Sequence, residues 1–204
     1  KTFVTFTTKY GSIDNTFVPL GDSEEITVPD GIAHFLEHKM FEKEDGDVFQ
    51  KFSGYGASAN AFTSFTRTAY LFSATDHLYE NTETLLNFVQ EPYFTQASVE
   101  KEKGIIGQEI TMYDDQPDWR LYFGTIENMY KDHPVKIDIA GTIDSIDDIT
   151  AEHLYTCYET FYHPSNMLLF VVGAVSPEEM MTYIRDHQNK KEFAASQPIK
   201  RSFP

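Results

Sequence analysis

The pattern of apolar and polar residues predicts strands and helices that follow one another along the chain. Four segments have strand-like composition: residues 1–10, 57–62, 67–75 and 166–175. The last, NMLLFVVGAV, is apolar almost throughout, which predicts a buried strand. Apolar residues recur at helical spacing over residues 32–42, 78–89, 98–113, 118–130 and 150–162, and another helix is expected after Ser176. A glycine-rich turn is expected at residues 53–56. Long hairpins among helices, rather than repeated βαβ units, predict an α+β fold: a mostly antiparallel sheet with helices packed on one face.

Size and charge exclude several classes of protein. The chain has 204 residues, which is typical of one domain or two small ones. Asp and Glu (32) outnumber Lys and Arg (16), so the formal net charge is −16. That charge repels phosphate backbones and anionic lipid head groups, so we expect no nucleic acid and no membrane among the partners. The single cysteine, Cys157, cannot form an internal disulfide, which fits a reducing compartment, and a cytoplasmic location is expected.

The residues at both ends of the chain are typical of the interior of a longer sequence. The chain begins at Lys1, already within a strand-like segment, and ends in QPIKRSFP, whose prolines and polar residues are typical of a linker. We therefore expect a single domain, residues 1–204, excised from a longer protein, with a linker that starts at residue 194.

The predicted helix at residues 32–42 contains the sequence HFLEH. Because a helix turns by about 100° per residue, His38 lies about 40° from His34 and Glu37 lies about 60° to the other side. All three side chains therefore share one face. Two imidazoles one turn apart can bind one divalent cation, and the adjacent carboxylate is placed to deprotonate a bound water. The order His-x-x-Glu-His is that of the inverzincins.

A catalytic zinc site needs a third protein ligand. In the predicted helix at residues 98–113, Glu102 and Glu109 are seven residues apart, which is two turns, so both face the same way. If this helix packs beside HFLEH, Glu109 can complete the metal site and Glu102 can hydrogen-bond a ligand. Taken alone, two acidic residues on a lysine-rich helix are more often a solvated face.

Four segments occur together in this order: HFLEH, ASANAFTSFTRTAYLF, EKEKGIIGQEI and DHPVKIDIAGT. Their combination resembles the N-terminal catalytic half-domain of the pitrilysin, insulin-degrading enzyme and mitochondrial processing peptidase family, most closely its members from low-GC Gram-positive bacteria. The resemblance covers nearly the whole chain. It implies that His34, His38 and Glu109 are ligands of one Zn²⁺ and that Glu37 is the general base. It also implies that Glu102 is the supporting acid and that Asn60 and Ala61 lie on an edge strand that pairs with substrate.

The resemblance further implies a zinc-dependent endopeptidase that acts on peptides or small unfolded polypeptides. In this family the active enzyme is a clamshell of two related halves, and the second half supplies Arg and Tyr groups for substrate and oxyanion. The expected partners are thus a peptide substrate and a second half-domain or a homologous subunit. We expect the isolated chain to bind zinc but to hydrolyse peptides poorly.

Two other functions stay open at this point. The first is a non-catalytic peptide-binding or partner subunit of the same fold, although such halves typically lack the motif that is intact here. The second is a small-molecule metallolyase of the S-ribosylhomocysteinase type, which has an inverted His-x-x-Glu-His helix but completes its metal site with a cysteine. Cys157 is the one candidate for that role.

Overall fold

The computed structural model describes residues 1–203, in which strands and helices alternate as the sequence predicts. The strands are β1 (Thr2–Thr8), β2 (Thr16–Phe17), β3 (Ile26–Thr27), β4 (Glu42–Lys43), β5 (Gly46–Asp47), β6 (Ser58–Thr63), β7 (Thr68–Ala74) and β8 (Met167–Val172). The α-helices are α1 (Ile32–Met40), α2 (Val48–Gly54), α3 (Leu78–Gln90), α4 (Gln96–Asp114), α5 (Pro117–Met129), α6 (Ile143–Asp147), α7 (Ala151–Phe161) and α8 (Pro177–Gln188). Every helix and strand predicted above is present, with ends that differ by a few residues.

Four strands form the main sheet in the order β6-β7-β1-β8, and each neighbouring pair is antiparallel. In the register, Val4 of β1 lies opposite Phe72 of β7 and Val171 of β8. Alternate residues of the two central strands, among them Val4, Tyr70 and Phe72, are fully buried in the single large core cluster. Helices α1, α3 and α7 contribute the apolar side chains that meet them. The predicted α+β fold, with helices on one face of an antiparallel sheet, is confirmed.

The predicted burial of β8 is wrong. β8 is an edge strand that pairs with β1 alone, and Leu168, Phe170 and Val172 are 64%, 56% and 52% exposed. These three side chains point to the sheet face opposite the core, where Phe170 lies beside Thr5 and Val172 beside Phe3. Since an unbroken apolar run gives no alternation, it does not show that only one face of a strand is covered.

Helix α2 occupies part of the segment for which a glycine-rich turn is predicted. The Asp47 side chain accepts a hydrogen bond from the Phe49 N–H and so caps the start of the helix. Val48 and Phe52 are buried, and their packing extends the helix to Gly54, leaving only Tyr55 and Gly56 for the turn.

The C-terminal segment folds back onto β2. Arg201 forms an ion pair with the buried Asp14 at 2.9 Å, lies over the Phe161 ring and makes a β-bridge with Phe17. The last residue of the predicted linker, Pro204, lies outside the described residues. No helix within residues 1–203 is long and apolar enough to cross a lipid bilayer.

Candidate metal centre

Helix α1 has an apolar face that packs in the core and a polar face that lies toward α4 and β6. Ile32, Phe35 and Leu36 are almost fully buried and anchor the helix in the core. The side chains of His34, Glu37 and His38 are directed instead toward α4 and β6. The helical spacing of HFLEH therefore presents three polar groups to one cleft.

Glu109 of α4 meets the two histidines of α1. Its Oε1 lies 3.8 Å from Nε2 of His34, and its Oε2 lies 3.6 Å from Nε2 of His38. Ligand atoms of the three residues all lie within 4.8 Å of one another. A tetrahedral zinc with ligands at 2.0–2.1 Å has ligand-to-ligand distances of about 3.4 Å, so two imidazoles and this carboxylate fit such an ion. In the part of the chain that the structure describes, no other group of three His, Cys, Asp or Glu side chains converges in this way.

Glu102, two turns before Glu109 on α4, contacts the other nitrogen of His38. Its Oε1 lies 3.0 Å from Nδ1, which fixes the ring so that Nε2 faces Glu109. Burial acts to lower the pKa of His38. The hydrogen bond to Glu102 and the negative charges of Glu37 and Glu102 outweigh it, so this pKa lies above its ordinary value.

His34 has a different electrostatic environment. Burial, with the charge of His38, lowers the pKa of His34 to about 3. Its imidazole is thus neutral at ordinary pH, which is the form that binds a metal. Its Nδ1 is buried and has no hydrogen-bond partner among the described residues, whereas its Nε2 faces Glu109.

Glu37 is held from the side of the sheet. The Thr63 hydroxyl donates a hydrogen bond of 2.7 Å to its Oε2, and the residue is only 8% exposed. Burial is the main cause that raises the pKa of Glu37 above its ordinary value. The Thr63 hydrogen bond offsets part of this effect. A buried carboxylate with a raised pKa beside a metal site is suited to general base catalysis.

One cleft of about 320 Å³ is lined by His34, Glu37, His38, Thr63 and Glu109. Asn60 and Ala61 of β6 line it as well, and the Ala61 N–H donates to the Asn60 side chain at 2.9 Å. Tyr113 and Trp119, whose rings stack with centroids 4.4 Å apart, also line it. A larger cavity of about 720 Å³, between α2 and α3, contains none of the predicted site residues. The site is therefore identified by the side chains that line the smaller cleft and not by the size of the cavity.

Some residues of this cleft are not found by sequence reasoning. Trp119 is fixed by a 2.7 Å hydrogen bond from its Nε1 to Asp138 Oδ2, and Tyr113 lies one turn after Glu109 on α4. The i, i+4 spacing of Tyr113 from Glu109 was an available signal. The contact of Thr63 with Glu37 depends on how β6 crosses α1, and local sequence carries no sign of it.

Cys157 lies elsewhere. Its side chain is fully buried in α7, and burial raises the pKa of its thiol to about 12. Within residues 1–203, it belongs to no group of three ligand-type side chains. Its position is that of a small core hydrophobe.

The same architecture occurs in solved peptidase structures. An M16-like peptidase from Alicyclobacillus acidocaldarius is 49% identical and superposes with a TM-score of 0.95, and the match covers 100% of this chain and 48% of that one. Pitrilysin is 21% identical with a TM-score of 0.75 over 98% of this chain and 22% of its own, a likeness that shows the fold alone.

Sequence relatives agree with these structures. The chain is 71% identical to an uncharacterized zinc protease, YmfH, from Bacillus subtilis (strain 168), over 98% of this chain and 47% of the relative. It is 30% identical to an uncharacterized zinc protease from Mycobacterium leprae (strain TN), over 84% and 40%. The chain thus spans about half the length of the relatives it matches.

Models of two protein families match successive parts of the chain. The model of insulinase (peptidase family M16) matches residues 15–143, and the model of the peptidase M16 inactive domain matches residues 148–204. The chain belongs to the peptidase M16 family, as its resemblance to pitrilysin and its relatives predicts.

Proposed function

We propose that this chain is the catalytic half of a zinc-dependent endopeptidase. The observation that carries the proposal is the convergence of His34, His38 and Glu109 within 4.8 Å, with Glu37 in the same cleft. The names of the relatives from Bacillus subtilis and Mycobacterium leprae, both called zinc proteases, support the choice of metal and reaction. In this proposal the first three residues hold Zn²⁺, Glu37 is the general base and Glu102 orients His38.

Each residue then has a definite task in peptide hydrolysis. When bound, zinc lowers the pKa of water and polarises a carbonyl group. Glu37 accepts the proton of the attacking water and returns it to the leaving amine. Thr63 holds the Glu37 carboxylate by Oε2, which leaves Oε1 for the proton transfer. The stacked pair of Tyr113 and Trp119 contributes an aromatic surface to the same cleft.

The edge of β6 is the proposed binding site for the substrate backbone. β6 has one neighbour in the sheet, β7, so its other edge is free to pair with an extended peptide. Asn60 and Ala61 lie on β6 where it lines the cleft. Main-chain hydrogen bonds of this kind depend little on side chains, so we propose broad specificity for peptides and small unfolded polypeptides.

A second half-domain, or a homologous subunit, is part of the proposal. Because this chain spans about half of its relatives, groups that bind substrate from the opposite side have to come from the rest of the protein. We therefore propose that the isolated chain binds zinc and turns over peptides slowly. A purely non-catalytic role is less well supported, because every residue of the metal cluster lies in the part matched by the insulinase model rather than the inactive-domain model.

The metallolyase alternative has no support in the geometry, because Cys157 is remote from the cluster and buried among core residues. The free thiol is consistent with a reducing compartment, and a cytoplasmic location stays part of the proposal.

Elemental analysis of the purified chain tests the metal site directly. We expect about one zinc per chain, and a loss of zinc in the Glu109→Gln variant because one of three ligands is removed. Glu100→Gln is a matched control, since Glu100 lies on the same helix and is exposed. Zinc retained by Glu109→Gln at the level of the control would refute the proposed ligand set.

A further inference from the structure

A lysine next to the candidate metal centre is fully buried. Lys39 follows His38 on α1, and its relative exposure is 0%. It lies on the same side of the helix as Phe35 and Leu36, which are four and three residues earlier. A charged side chain is almost never fully buried unless it is paired, so the partners of this ammonium group are informative.

Both partners of Lys39 are carboxylates. Its Nζ forms an ion pair with Glu42 and lies 3.9 Å from Oε2 of Glu102. The other oxygen of Glu102, Oε1, is the one that lies 3.0 Å from Nδ1 of His38. The carboxylate of Glu102 is thus held from two sides, by the lysine at one oxygen and by the histidine at the other.

This arrangement constrains the rotation of Glu102. With only the His38 hydrogen bond, the carboxylate could turn about its last side-chain torsion, which has a broad energy profile. The buried ammonium favours the one orientation in which Oε2 faces Lys39 and Oε1 faces His38. Removing one member of a buried ion pair strongly destabilises a protein, because the charge that remains is buried without a partner.

We propose that Lys39 is a positioning residue of the metal site: it acts through Glu102 on His38 and thereby strengthens zinc binding. The inference rests on the proposed zinc site and adds a residue to it. The inference also predicts the direction in which Lys39 changes the zinc affinity. Acting only as a charge, the lysine would repel Zn²⁺ and weaken binding, whereas acting through Glu102 it strengthens binding.

A double-mutant cycle on this chain tests the inference. The variants are Lys39→Met, Glu102→Gln and the two together, and the measurement is the zinc dissociation constant by competition with a chelator. We expect Lys39→Met to weaken zinc binding about tenfold, at the lower end of what outer contacts of metal ligands contribute. In the Glu102→Gln background the same substitution should change the constant by less than about twofold, since the group that transmits the effect is gone.

Two controls separate this role from charge and from folding. Lys39→Arg keeps a buried cation that can pair with Glu102, although its guanidinium is larger, and should weaken zinc binding less than Lys39→Met does. Lys103→Met removes a positive charge from α4 whose partner is Glu100 rather than Glu102, and it should leave zinc affinity unchanged. Thermal unfolding of the metal-free variants shows whether any of them has lost its fold.

Three results would overturn the inference. Equal weakening by Lys39→Met in both backgrounds would mean that the lysine acts through general stability. Tighter zinc binding by Lys39→Met would mean that it acts only as a repelling charge, and unchanged binding would mean that it has no role. In each case the unsubstituted chain still binds zinc, whereas a chain that binds none would refute the proposed function and this inference together.

Discussion

The Thr63 hydroxyl donates a hydrogen bond of 2.7 Å to Oε2 of Glu37 and so connects edge strand β6 to helix α1. The proposed general base, Glu37, is therefore positioned by the same strand that we propose to bind the substrate backbone. Any displacement of β6 relative to α1 would change both the binding edge and the orientation of the carboxylate.

Substitution of Thr63 by Val should slow peptide cleavage by the protein that contains both halves. Loss of one hydrogen bond to a charged group costs about 1.5–3 kcal/mol, so we expect kcat to fall at least about tenfold. Zinc content should not change, because Thr63 contacts no ligand of the cluster. The Thr63→Ser variant keeps the hydroxyl and should retain most of the activity; equal losses in Val and Ser variants would contradict the positioning role.

The same substitution should alter the pH dependence of kcat. The pKa of Glu37 is already raised by burial, and the Thr63 hydrogen bond holds it down. A general base works only when deprotonated, so activity should fall as the pH drops through this pKa. Without the hydroxyl the pKa rises further, and the acidic limb of the profile should move to higher pH. A limb that stays in place would show that Glu37 is not the titrating base.

Replacement of Glu37 by Gln should separate metal binding from catalysis. The amide keeps the size of the side chain but cannot take up a proton, so cleavage should fall by about 100-fold or more. Elemental analysis should still find zinc, since Glu37 is not one of the three proposed ligands, His34, His38 and Glu109. Full cleavage by this variant would remove Glu37 from the mechanism.

Zinc binding should weaken as the solution becomes more acidic. A proton on Nε2 of His38 competes with the metal, and the pKa of His38 is raised by Glu102, so this competition begins at a higher pH than for a free histidine. The pKa of His34 is lowered to about 3, so His34 stays neutral in the same range. Chelator competition at a series of pH values measures this effect. Glu102→Gln should move the loss of affinity to lower pH, and Glu100→Gln should not.

Two phenylalanines of the same sheet should differ widely in their contribution to stability. Phe72 on β7 is fully buried, whereas Phe170 on β8 is 56% exposed. We expect Phe72→Ala to lower the free energy of unfolding by about 3–5 kcal/mol and Phe170→Ala by less than about 1 kcal/mol. Urea denaturation of the two variants provides the comparison, and similar losses would mean that the outer face of β8 is covered in solution.

The sequence predicts the positions of the helices and strands better than it predicts which of their side chains are buried. Helical spacing places His34, Glu37 and His38 on one face. The seven-residue interval from Glu102 to Glu109 places both carboxylates on one face of a second helix, but only the HFLEH motif and the family resemblance single that helix out. The exposure of β8 is not predictable locally, because it depends on which sheet face the helices cover.

Lys39 is an intermediate case. Its spacing from Phe35 and Leu36 places it on the buried side of α1, yet a lysine in such a pattern is ordinarily expected at the surface. One of its two partners, Glu42, is only three residues away in the sequence, but the other, Glu102 at 3.9 Å, is brought there by the packing of α4 against α1. Long-range contacts of this kind, like that of Thr63 with Glu37, are the part of the site that a single sequence does not reveal.

The backbone at the start of α1 is interlocked with the loop that contributes Ala140 to the cleft. Gly31 and Gly141 both have positive φ angles, of 87° and 74°. A Cβ on Gly31 would lie 2.3 Å from the Ala140 carbonyl oxygen, and one on Gly141 would lie 2.5 Å from that of Asp30. No side chain fits at either position without displacement of the facing backbone. Any residue other than glycine at 31 or 141 would therefore push this loop away from the beginning of α1 and widen the wall of the cleft that Ala140 forms.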